Sequence, residues 1–105
     1  MMRGALLFIT DPINPEAKIL RDNFVFKIIP MLNPDGVING NYRCSLAGCD
    51  LNRRWKAPSK MIHPTIYNTK KLIKNLHAER EVLMYCDFHG HSRKQNVFMY
   101  GCNNK

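Results

Sequence analysis

Apolar positions along the chain change their period several times, and each change marks an element. Residues 1–9 close on Ala5-Leu6-Leu7-Phe8-Ile9, an apolar helical end with nothing before it to serve as a cap. A chain rarely opens on an uncapped buried segment, so this pattern points to a piece of a longer protein. Asn14-Pro15-Glu16 supplies an N-cap, a proline at the first helical position and a first-turn acid, which predicts a short helix ending near Asn23. From Phe24 to Leu32 the run FVFKIIPML is β-branched and aromatic, the signature of a strand, with Pro30 placing it at an edge or distorting its end. NPDG follows as a turn, Pro34 presetting φ and Gly36 permitting a positive one. Residues 37–62 form a polar, irregular loop long enough to be functional or pinned by its own contacts.

His63-Pro64 opens the clearest helix, in which Ile66, Ile73 and Leu76 recur at helical spacing opposite a lysine-rich face, through about Arg80. Val82 to Phe88, VLMYCDF, is apolar with little alternation, as in a strand covered on both faces. Asn96 to Tyr100 reads as another short strand. Strand, loop, helix and strand in this order describe a parallel crossover. The predicted class is therefore α/β: a mixed, mostly parallel sheet with helices on both faces. Such a sheet places NPDG, its following loop and HGHS beyond the carboxyl ends of the strands, where open α/β sheets bind ligands.

Composition narrows the picture. With 105 residues, 45% apolar and 23% charged, the chain is at most one small domain and no disordered tail. Thr10-Asp11-Pro12 interrupts the N-terminal apolar run before a signal-peptide core is complete, and no stretch approaches a bilayer span, so the expected location is cytoplasmic. Cys44, Cys49, Cys86 and Cys102 contain no Cys-x-x-Cys pair, which favours reduced thiols over a disulfide framework. The formal charge of +8 raises nucleic acid or an acidic protein surface as partners. Its lysines and arginines are scattered, without interleaved stacking aromatics, so no nucleic-acid partner is expected.

Two clusters could carry chemistry. In YCDFHGHS, period-two alternation places His89 on one face with Tyr85 and Asp87, while Cys86 and Phe88 take the other. A His-x-His pair such as His89 and His91 is by itself a weak zinc signal, since histidine is a common structural residue. The loop GNYRCSLAGCDLNRRW holds Arg43, Asn52, Arg53 and Arg54 with a single acid, Asp50. A guanidinium binds carboxylate bidentately and an adjacent Asn amide adds a neutral donor, so Asn52-Arg53 could hold a terminal or side-chain carboxylate. An ordinary exposed arginine cluster accounts for the same residues equally well.

Together, IPMLNPDGVINGNYRCSLAGCDLNRRW and YCDFHGHSRKQNVFMYGC closely resemble the cytosolic carboxypeptidase branch of the zinc carboxypeptidases, the subfamily that includes tubulin deglutamylases. The likeness runs through nearly the whole chain and implies a partial zinc-carboxypeptidase fold. It also implies roles. His89 matches a zinc ligand, and His91 belongs to the His-Gly-His-Ser pattern without being carried over as one. Arg43 matches the arginine that polarises the scissile carbonyl and stabilises the developing oxyanion. Asn52 and Arg53 match the pair that grips the substrate's terminal carboxylate.

The implied cofactor is zinc, the implied reaction hydrolysis of C-terminal peptide bonds, and the implied partners are acidic C-termini, tubulin's among them. The family's His-x-x-Glu motif, source of the other two zinc ligands, is absent from residues 1–105. Family order places it upstream of Met1 and the general-base glutamate downstream of Lys105, so residues 1–105 are expected to be an internal part of one catalytic domain, inactive alone. Glu79 and Glu81 cannot stand in for the base, because a seven-residue strand of about 23 Å would separate them from His89. Asp87 lies on the correct side but, two residues before a ligand, is better placed to orient it. The rival reading is a non-catalytic module that keeps Arg43, Asn52 and Arg53 and merely binds acidic C-termini.

Overall fold

Helices are the regular elements that form. The computed structural model describes residues 1–102, in the order α1 (Met2–Ile9), α2 (Pro15–Asn23), α3 (Pro34–Asn39), a 3-10 turn (Leu51–Arg53) and α4 (Pro64–Glu79).

Local chemistry explains their boundaries. Asn14 Oδ1 accepts from the N–H groups of Glu16 (2.9 Å) and Ala17 (3.1 Å), filling the orphan donors that open α2. At the other junction Arg21 Nη1 donates to the carbonyls of Ile9 (2.6 Å) and Asp11 (2.8 Å). The Ile9 carbonyl is one of the acceptors left open at the end of α1, so one guanidinium both caps α1 and fastens α2 to it; the two helices pack together.

NPDG is the start of a helix and not an isolated turn. Asn33 Oδ1 accepts from Gly36 N at 3.0 Å, and α3 continues to Gly40, whose left-handed φ of 71° ends it. Gly36 is required for space, not for positive φ: a Cβ there would sit 2.2 Å from Asn33 Nδ2 and 2.8 Å from the Cys44 carbonyl oxygen. Before α4, His63 is buried; its Nδ1 accepts from Ser59 N at 3.0 Å while its own N–H donates to Ser59 O at 2.9 Å. Ile66 and Thr69 form the buried side of α4.

The expected sheet is not formed among the described residues. Segments 24–32, 82–88 and 96–100 hold no strand, and the isolated bridge Cys44–Asp50, antiparallel, is the β-pairing that occurs. The residue types are those of strands, but a strand exists only beside a partner about 4.8 Å away that takes its N–H and C=O groups. Neither apolar segment lies along such a partner, and Phe26, Ile28, Leu83 and Met84 remain exposed. Among the described residues only Ala17, Leu51 and Ile66 are buried hydrophobic residues. The chain accordingly exposes 9341 Å², where a folded monomer of this size exposes about 6,000 Å². Its radius of gyration is 16.0 Å, against about 13 Å for a compact domain of this length.

Candidate functional site

The polar loop is short-range structure built around one carboxylate. The chain leaves α3 through Gly40 and passes Tyr42, whose φ of 55° is left-handed and uncommon for an aromatic residue. Asn33 Nδ2 reaches back to the Cys44 carbonyl at 3.3 Å, tying the start of α3 to the backbone just after Arg43. A turn closed by Gly48 N to Ser45 O (2.9 Å) and Ser45 N to Cys49 O (3.1 Å), with Gly48 at φ 67°, brings Cys44 beside Asp50. Asp50 then serves two partners. Its Oδ1 accepts from Asn52 N at 2.9 Å as the cap of the 3-10 turn, and its Oδ2 lies 3.9 Å from Arg43 Nε. The guanidinium of Arg43 also stands over the Tyr42 ring, 5.9 Å from its centroid.

Asn52 and Arg53 occupy the 3-10 turn itself. Trp55 Nε1 donates to Asn52 Oδ1 at 3.0 Å, and both side chains are otherwise exposed without a protein acceptor among the described residues. The far end of this loop is clamped from α4: Lys70 Nζ donates to the carbonyls of Trp55 (2.7 Å) and Lys56 (2.8 Å). Trp55 meets Tyr85 edge-on, with centroids 6.1 Å apart and planes at 77°. That contact is what joins the arginine loop to the histidine segment.

His89 and Asp87 lie on one side of their segment, as the alternation predicts. The Nε2 of His89 and the Oδ2 of Asp87 are 2.9 Å apart. Among the described residues Nδ1 of His89 has no hydrogen-bond partner. His91 is used differently: its Nδ1 accepts from the N–H groups of Arg93 (3.1 Å) and Lys94 (2.9 Å), and its ring meets Phe98 edge-on at 5.2 Å. The Tyr85 phenol is held above its ordinary value of 10.0 by partial burial first, then by the negative charges of Asp87 and Cys86.

Arg43 and Asn52 are therefore brought together through Asp50, with Arg53 adjacent in sequence. No hydrogen bond or ion pair among the described residues joins His89 to any of them. Of two hollows, the first, about 400 Å³, adjoins the arginine loop through Ser45 and Leu51 and the second, about 350 Å³, lies against Tyr67 and Lys74; neither is lined by Arg43, Asn52, Arg53 or His89. Of the site-building residues, pattern reading noted Asp50 and Tyr85 without giving them a role and did not single out Trp55. The available signal was the single acid in an arginine-rich loop and an indole three residues after an Asn.

Residues 6–105 match the profile of the zinc carboxypeptidase family, and the chain belongs to that family. Within it, the chain is 62% identical over 105 residues to cytosolic carboxypeptidase 2 of Xenopus tropicalis, covering 100% of this chain and 11% of that protein. It is 64% identical over 104 residues to human cytosolic carboxypeptidase 2, covering 99% of this chain and 11% of that protein. It is also 58% identical over 106 residues to human cytosolic carboxypeptidase 1, covering 100% of this chain and 9% of that protein. The chain thus spans about a tenth of the length of these relatives.

The family implies zinc. His89 fits the part of one ligand, since a metal-binding imidazole commonly has its second nitrogen held by a carboxylate, as Asp87 holds Nε2 here. Among the described residues no group of three or more His, Cys, Asp and Glu could hold a metal, whereas a catalytic zinc takes three protein ligands. No helix among the described residues is long and apolar enough to cross a membrane.

Proposed function

We propose that the protein to which this chain belongs is a zinc metallocarboxypeptidase that removes C-terminal residues, chiefly glutamates from acidic protein tails such as those of tubulin, in the cytoplasm. Family membership supports the reaction class, and the names of the cytosolic relatives support the compartment. The observation that carries the substrate end is the pairing of Asn52 and Arg53. Among the described residues their side-chain donors have no protein acceptor, and their turn is capped by Asp50 and braced by Trp55. That is an arrangement suited to a free terminal carboxylate.

In this reading Arg53 and Asn52 hold the carboxylate, Arg43 lies ready to polarise the scissile carbonyl and offset charge developing on its oxygen, and Nδ1 of His89 contributes one metal ligand. Bound zinc in such a site supplies Lewis acidity toward the carbonyl and an acidified water. The Asp50 carboxylate lies 3.9 Å from Arg43 Nε and draws the guanidinium toward the turn that carries Asn52. The net charge of +8 agrees with an acidic substrate.

In the full-length protein, Arg53→Ala is expected to weaken binding of a peptide with a free C-terminus about tenfold or more while leaving the C-terminally amidated peptide nearly unaffected. Equal losses would remove the carboxylate fork. Release of the last residue should be faster from peptides ending in glutamate than from matched peptides ending in lysine, and equal rates would remove the acidic preference.

A further inference from the structure

Trp55 is an aromatic residue whose polar atom has a single use. An indole N–H donates and never accepts. Its partner at 3.0 Å must therefore be the carbonyl oxygen of the Asn52 amide, which leaves the Asn52 amine directed away from Trp55. An unrestrained Asn amide can present either end. Presented wrongly, Oδ1 would meet an incoming carboxylate oxygen, and two acceptors with no proton between them repel. Presented as here, Nδ2 keeps both its donors free of Trp55, in the same turn that carries Arg53.

Resting on the carboxypeptidase reading above, we propose that Trp55 is a positioning residue for the carboxylate fork, orienting the amide of Asn52 so that its amine faces the substrate's terminal carboxylate. The rest of its surroundings hold the indole in place for that task. Lys70 Nζ fixes the Trp55 carbonyl from α4 at 2.7 Å, and the Tyr85 ring meets the indole edge-on. Trp55 thereby also connects the fork to the segment that carries His89.

The test uses the full-length zinc-loaded protein and a peptide ending in glutamate whose scissile bond is reduced to an amine, as free acid and as C-terminal amide, read as inhibition constants. Trp55→Phe keeps an aromatic ring against Tyr85 and loses the N–H. It should raise the constant of the free acid about threefold to tenfold and leave that of the amide unchanged. In an Asn52→Ala background the same substitution should add nothing, because the indole acts through that amide. Equal weakening of acid and amide, or full additivity with Asn52→Ala, would show that Trp55 only packs and would overturn the inference.

If the melting temperature shows Trp55→Phe to be misfolded, Asn52→Asp decides the matter. It keeps an acceptor for the indole and replaces the outward amine with an anionic oxygen, so it should weaken the free acid at least as much as Asn52→Ala. Wild-type affinity in Asn52→Asp would overturn the inference. Arg53→Ala separates the two levels. If it leaves acid-over-amide discrimination intact, the fork itself fails and Trp55 with it; if discrimination is lost there but Trp55 and Asn52 prove independent, only the role of Trp55 fails.

Discussion

At the scale of single residues, the organising group is a carboxylate. Asp50 caps the turn bearing Asn52 and forms a loose, exposed ion pair with Arg43, so one acid adjoins two candidate substrate contacts. Asp87 has the corresponding place beside His89: its Oδ2 lies 2.9 Å from Nε2, which in the proposed reading leaves Nδ1 as the nitrogen open to a metal. His89→Ala in the full-length protein should lose zinc and activity together, whereas Asp87→Ala should keep zinc but bind it roughly tenfold to a hundredfold more weakly. Competition with a chelator measures both, and unchanged zinc affinity in both variants would mean that neither residue serves the metal. Tyr85 carries a pH prediction. Its folded-state phenol is raised, so the folded form holds the proton more tightly than the unfolded one. That contribution is present below the unfolded value of about 10 and is lost as pH rises through the folded value. The phenolate absorbance difference between wild type and Tyr85→Phe should appear above the ordinary tyrosine range. Asn52, Arg53 and His89 were legible as chemically apt residues; Asp50 and Trp55 were not, because their roles depend on which neighbour each polar atom reaches.

At the scale of elements, helices with local stop and start signals were readable and pairings across the chain were not. Asn14-Pro15 opens α2 with a side-chain cap, and Pro64 at the first helical position opens α4 without one. Asn33-Pro34 carries the same cap-and-proline signal, yet Gly36 draws the eye to a turn. Only the approach of Asn33 Nδ2 and the Cys44 carbonyl shows why a glycine is needed there. Gly36→Ala would force these groups apart and is expected to destabilise the protein by about 1–3 kcal/mol, measured by denaturant unfolding. Wild-type stability would mean that the Asn33 bridge yields without loss. The strands expected at 24–32 and 82–88 failed for a different reason. Periodicity reports which residues tolerate a sheet, but hydrogen-bond partners far along a chain leave no local mark.

At the scale of the molecule, three buried hydrophobic residues among those described and 9341 Å² of exposed surface leave little to oppose chain entropy. A polypeptide of residues 1–105 is expected to melt without a cooperative transition, to bind an apolar dye and to lose zinc on dialysis against a chelator. A sharp calorimetric transition, or zinc retained at one equivalent, would contradict this. Sequence by itself determined family membership, the cap of α2, the proline that opens α4, and the residue types able to hold a carboxylate and one coordination position, because each is written in side-chain chemistry over short spacings. Tertiary structure alone decided that Asp50 couples Arg43 to the Asn52 turn, that Trp55 orients an amide and meets Tyr85, and that the apolar segments pair with nothing among residues 1–102. The first two depend on which atom each side chain reaches within a short loop and the others on contacts between residues far apart in the chain, and residue type alone encodes neither.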